Sequence, residues 1–439
     1  MRLKLLKVPF LSFLACSALK RWDMLLLVSI VGSLTFCSGA RAQDNWSRFH
    51  GPNGTGLAIE ADLPSQISEA DFLWSVDLAG TGSSSPIVWG ERLFVTSSSS
   101  KTGDLTIECF NSKTGEQIWA ESFESEAYKL HNQNSFASGT PAVDKDHVYV
   151  AYAHPDQTVV RALTHDGEKK WDRDFGTWIS SHGFGASLMT YQDKLVFFNS
   201  QQAKKLPEGA TPGTSTMIAL SCQDGSDIWK TPLTPTRCCY GVPGIYTDKT
   251  GQDQLIGCNT AEGFFSLDPE TGDKNWSTLP FRMRSVASTL IADGLIIGSN
   301  GSGGGGNYLV AIRPDEKGAN PEKAYQLQRA NYVPSPVAVN DKLFLFTDKG
   351  IGRCVDLQTG ELHWQERVAK GFSGSPVATK SHVYVMDQSG KLYVVAAEKE
   401  YNLVSSMSLG EDTRSTPAIA GDRLYLRTES RLICVAKKD

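Results

Sequence analysis

The chain has 439 residues, with 43 Lys and Arg against 48 Asp and Glu for a formal net charge of −5. That balance makes no global case for a nucleic-acid partner, and the length suits either two or three ordinary domains or one closed array of repeats.

Residues 2–21 carry Arg2, Lys4, Lys7, Lys20 and Arg21, and the apolar run MLLLVSIVGSLTF follows at 24–36, then Ala40-Arg41-Ala42. This order predicts a secretory signal peptide over residues 1–42, cleaved after Ala42, and a secreted or periplasmic mature protein. Met24 is a second candidate start. The apolar run is too short to span a bilayer comfortably, and no later stretch is apolar enough to be transmembrane. Cys37 follows the run, but Phe36 before it is larger than the residue that normally precedes a lipidated cysteine, which argues against a lipid anchor.

Residues 43–71 form a covering segment without periodicity. Within it DNWSRFHGPNGTG, at 44–56, is rich in Gly, Asn and aromatics, and is expected to be a loop pinned by Trp46 and Phe49 over one end of the array. FLWSV at 72–76 is then a strand with a Trp but no unit of its own.

From residue 83 onward a unit recurs eight times, between SSSPIVWGERLFVTS at 83–97 and STPAIAGDRLYLRT at 415–428. Each opens on small residues and Pro or an apolar residue, then alternates apolar and polar around a short turn, the signature of a β-hairpin. A third and a fourth strand follow in patterns such as CFNSKTGEQIW (109–119), ALTHDGEKKW (162–171), ALSCQDGSDIW (219–229), SLDPETGDKNW (266–276) and CVDLQTGELHW (354–364). No segment has helical periodicity. Four antiparallel strands in each of eight units predict an all-β, eight-bladed β-propeller over residues 72–439. The last unit runs out of chain before its fourth strand, so the strand around Trp74 is expected to complete it and remove an exposed edge. Trp74, Trp119, Trp171, Trp229, Trp276 and Trp364 then share one blade-docking position, with Tyr325 and Val404 standing in for Trp in blades 5 and 7.

Nine cysteines become seven when Cys16 and Cys37 leave with the signal, so a complete disulfide framework is excluded. Cys109, Cys354 and Cys434 occupy a repeat position that is Ala162, Ala219 and Ala311 elsewhere, which calls for small buried side chains.

In a propeller the connections before each first strand line one mouth of the central channel. Here they supply Arg237, Arg282, Arg284, Arg329, Lys370 and Arg414, with His131, Asn132, His182 and Tyr240, whereas their carboxylates are confined to Glu411 and Asp412. Positive charge clustered on one mouth predicts a site for an anionic ligand. SGGGGNY at 302–308 is Gly-rich but follows no phosphate-loop pattern and reads as a hairpin loop. Neither a Ser-His-Asp set nor metal-type His spacing is present, so no catalytic and no metal-binding residue is assigned.

The A-x-D-x-x-T-G-x-x-x-W pattern, as in CVDLQTGELHW and SLDPETGDKNW, resembles the docking motif of pyrroloquinoline-quinone (PQQ) type propellers, a superfamily of quinoprotein dehydrogenases and BamB-like outer-membrane assembly scaffolds. The resemblance covers about residues 72–439 and implies the fold; enzymes and scaffolds both carry the motif. The dehydrogenase branch implies PQQ with Ca²⁺ held by Glu, Asn and Asp, and a disulfide between adjacent cysteines lying on the cofactor. Cys238-Cys239 matches that pair in part, as a vicinal disulfide, as partners for Cys258, or as thiols. The expected function is therefore a binding or scaffold protein without a cofactor, taking protein partners in the cell envelope or an anionic small molecule. The alternative is a PQQ-dependent alcohol or sugar dehydrogenase.

Overall fold

The period-two hairpins fold into 32 strands that form eight four-stranded antiparallel sheets. The structure, a computed structural model, describes residues 44–438 apart from Pro207 and Pro280, so the expected signal peptide and Cys37 lie outside the described residues. Blades 1 to 7 are continuous in sequence, at residues 87–123, 142–174, 189–233, 244–277, 290–328, 337–367 and 377–408. Blade 8 combines three strands within residues 418–435 with Phe72–Asp77. In it Trp74 pairs with Cys434 and Val76 with Leu432, so the N-terminal strand closes the ring. The first strand of each blade lies against the first strands of its neighbours around the channel, and the fourth strand forms the rim.

The seams show why the repeat has its composition. Asp356 Oδ1 accepts from the backbone N–H of Gln358 (3.0 Å) and Thr359 (2.9 Å), shaping the turn that Gly360 completes. The aromatic residue of the preceding blade sits on that turn, and its polar tip bonds into the turn's backbone. Trp119 Nε1 donates to His165 O (2.8 Å), Trp229 Nε1 to Pro269 O (3.0 Å), and Tyr325 Oη to Leu357 O (3.0 Å).

The seam between blades 7 and 8 departs from the expected pattern. A bulge at Val394/Val395 skips Val404 and places Ser405 opposite Val394, so Ser405 and not Val404 holds the docking position. The cause lies in the ring closure. Blade 8 takes its rim strand from the other end of the chain and has no tight turn on which a Trp could sit. Residues 61–68 fill the space instead: Ser405 Oγ donates to Ser65 O (2.6 Å), Gln66 Nε2 donates to Val404 O (2.9 Å), and Leu63 and Ile67 are buried.

The segment before it closes the channel. Trp46 exchanges two backbone hydrogen bonds with Val88 of blade 1 (2.8 and 2.9 Å), and Val143 N of blade 2 donates to Ser47 O (2.8 Å). Asn53 Nδ2 donates to Ile245 O of blade 4 (2.7 Å), and Gly56 O accepts from Ala378 N of blade 7 (2.8 Å). One strap thus crosses the channel at the far ends of the innermost strands.

Candidate ligand site at the channel mouth

The open end of the channel is a cavity of about 740 Å³ whose wall includes Phe49 of the strap. Its deep wall is a belt of hydroxyls. Ser85 N donates to Thr140 Oγ1 (2.9 Å), Thr140 N to Ser187 Oγ (3.0 Å) and, after a gap, Val242 N to Ser288 Oγ (3.0 Å). The belt continues through Ser335, Ser375 and Thr416 and closes when Thr416 N donates to Ser85 Oγ (3.2 Å). Every blade supplies Ser or Thr except blade 4, which has Val242. The signal was present in the sequence as Ser-Ser-Pro, Gly-Thr-Pro and Gly-Ser-Pro, where reading only small size overlooks the hydroxyl.

Above the belt stands a cationic cluster. Arg284 is 5% exposed and is held by Nε donating to Tyr332 Oη (2.6 Å). Its terminal nitrogens lie 3.1 and 2.8 Å from Nδ1 and Nε2 of His182. A neutral imidazole has a single acceptor nitrogen, so His182 must be unprotonated to receive that cation. His131 stacks on His182 with ring centroids 4.7 Å apart. Burial, then the charges of Arg284, His131 and Arg237, hold His182 down to about 4. Arg237 and Arg414 also line the cavity, and Arg414 Nε lies 3.4 Å from Gln133 Oε1. Among the described residues, Arg237, Arg284 and Arg414 have no carboxylate within ion-pair distance.

His131, His182, Arg237, Tyr240, Arg284 and Arg414 therefore share one cavity, and four sequence candidates lie outside it, among them the exposed Lys370. Asn132 is exposed and does not line the wall, while its neighbours Gln133 and Asn134 do. Arg282 is exposed, with its backbone N–H donated to Tyr308 Oη (3.0 Å). Arg329 is exposed because it directly follows the rim strand Glu322–Gln328, which sets it away from the channel. Cys238 and Cys239 are free, buried thiols that enter different apolar clusters, Cys238 beside Phe184 and Cys239 beside Phe265. No disulfide joins them, and neither lines the cavity.

Asp348, Gln388 and the Ser302-Gly303-Gly304 loop are wall residues that the sequence reading missed. They belong to turns between second and third strands, which open on the same face as the connections between blades. Asp348 accepts from the N–H of Tyr332 (2.8 Å) and Val333 (3.1 Å), and burial pushes its carboxyl up.

His182 supplies a titration test of this geometry. In wild-type protein its imidazole resonances should stay in the neutral position down to about pH 4, and Arg284→Met should raise that midpoint by removing a neighbouring cation. The sign for stability follows: between pH 6.5 and 4 the unfolded chain binds a proton that the folded one does not, so this group's contribution is lost as pH falls through that window. A His182 midpoint near 6.5 in NMR would disprove the contact.

Fold and mouth together define a class: an eight-bladed propeller with one channel end strapped shut and the other open as a cavity. The chain belongs to the PQQ-type repeat family whose model, described as outer membrane protein assembly factor BamB, matches residues 67–238, 178–398 and 347–439. Similar solved structures include BamB from Moraxella catarrhalis, at 15% identity and TM-score 0.58, covering 86% of this chain and 98% of that one. Quinohemoprotein alcohol dehydrogenase from Comamonas testosteroni is similar at 12% identity and TM-score 0.60, covering 90% and 80%. The Saccharomyces cerevisiae protein Sqt1 matches at 11% identity and TM-score 0.58, covering 84% and 99%. No curated protein matches the sequence. At these identities the structural likeness concerns the fold.

Proposed function

We propose that this protein is a non-enzymatic, BamB-like binding propeller of the cell envelope, engaging protein partners there and taking an anionic group into its channel mouth. One observation carries the ligand reading: the guanidinium groups of Arg237, Arg284 and Arg414 line a single cavity with no carboxylate paired to any of them among the described residues. A desolvated cation without a counterion is costly, and an incoming anion relieves that cost. The BamB family match and the predicted secretory leader support the envelope setting.

The dehydrogenase alternative asks this mouth for carboxylates around a hard cation. Asp348, the one carboxylate in the wall, already gives both oxygens to backbone N–H groups, and the charge around it is positive. No group of three or more His, Cys, Asp or Glu among the described residues is placed to hold a metal. The adjacent cysteines are buried away from the cavity. These residues do not fit a calcium–quinone pair.

Fluorescence anisotropy with 5-carboxyfluorescein tests the reading. Saturable binding is expected, weaker in high salt and at least about tenfold weaker in Arg237→Ala/Arg284→Met, since each charged hydrogen bond is worth about 1.5–3 kcal/mol. Arg329→Ala, outside the cavity, should leave it unchanged. Equal affinity in the double variant would rule the site out.

A further inference from the structure

The cavity wall is two-sided. Two residues before each belt position, the connections that lead into the innermost strands present a second ring of side chains. Across blades 7, 8, 1 and 2 that ring is Ser373, Arg414, Ser83 and Ser138, and across blades 3 to 6 it is Gly185, Tyr240, Val286 and Val333. The apolar side coincides with the break in the belt, where Val242 replaces a hydroxyl, and Phe49 is apolar in the same cavity. Val286 and Val333 are each partly exposed, so their methyl groups face the open space. Arg237 and Arg284 belong to the connections that lead into these same blades, and Arg284 is fixed in place by Tyr332 of the blade 6 connection. Two of the three arginines and the apolar surface therefore meet in one sector of the mouth, opposite a wall of serines interrupted by Arg414. An inorganic anion would satisfy the arginines and leave the valines in water; a neutral apolar molecule would do the reverse.

We propose that the occupant is a small amphipathic organic anion, a carboxylate on an apolar body, bound without a divalent cation: carboxylate at Arg237 and Arg284, body against Tyr240, Val286 and Val333. This rests on the anion-binding reading above and narrows it to one ligand class. The absence of a calcium requirement follows from the wall, where the one carboxylate, Asp348, already accepts two backbone N–H bonds.

Calorimetric titration with 2-naphthoate, acetate and neutral 2-naphthamide separates the two claims. 2-Naphthoate should bind one to one, at least tenfold tighter than either acetate or 2-naphthamide, with the same affinity in calcium or EDTA. Val286→Ser/Val333→Ser should weaken 2-naphthoate about tenfold and leave acetate within twofold. Val286→Ser alone, with thermal unfolding recorded for each variant, keeps the comparison valid if the double variant does not fold. Acetate binding as tightly as 2-naphthoate would overturn the amphipathic class and leave the anion site standing. 2-Naphthamide binding as tightly as 2-naphthoate, with no response to Arg237→Ala/Arg284→Met, would overturn both. Binding of 2-naphthoate that appears only with calcium would overturn the metal-free claim.

Discussion

A protein that begins at Leu78 is expected to be recovered aggregated, without a cooperative unfolding transition. The missing residues include the rim strand of blade 8, which covers the edge of Arg431–Val435, and the strap that shuts the channel. Trp46, Leu63, Ile67 and Trp74 are 0%, 5%, 7% and 9% exposed, so four well-buried apolar side chains go with them. At about 1.5–3 kcal/mol each this is roughly 6–12 kcal/mol, against a total stability on the order of 5–15 kcal/mol for a folded domain. The exposed edge then offers unpaired backbone groups to a second chain. Adding a peptide of residues 44–77 during refolding should rescue soluble, folded protein. A soluble monomer with native circular dichroism that starts at Leu78 would show that the ring does not depend on this strand.

The same closure explains which parts of the molecule were legible in the sequence. The propeller was legible because a docking position, a turn Asp and a Gly recur together, and because Trp74 stood outside any unit. Ser405 was harder to place because the bulge before each docking residue drops one position from the count, and without a Trp nothing marks the shift. At the mouth, Arg237, Arg284 and Arg414 could be found because they lie in connections that always line the channel. Asp348 and Gln388 could not be found by the same route, since turns between second and third strands reach the cavity in only some blades, here 5, 6 and 7. Arg329 shows the opposite error. It is close in sequence to a channel connection but follows the rim strand, with φ 53° turning the chain there.

Trp229→Ala is expected to cost about 3–5 kcal/mol, read as a lower urea midpoint at unchanged slope. Trp229 is 8% exposed and packs in the cluster that includes Met189, Phe198, Val242 and Phe265. It lies on Gly272, where φ is 75° and a Cβ would stand 2.6 Å from the indole ring. Only glycine meets both conditions at no cost, so Gly272→Ala should also destabilise. The steric share of that penalty disappears once Trp229 is Ala, so the double variant should be less unstable than the sum of the two single changes. Trp276→Ala should cost less than Trp229→Ala. Trp276 is only partly buried, and the glycine it bonds, Gly318 (Nε1 to O, 2.7 Å), faces Gln254 and Asp248 rather than the indole. Equal losses for the two tryptophans, or strict additivity of Trp229→Ala with Gly272→Ala, would mean that the ring on the glycine turn is not what locks adjacent blades.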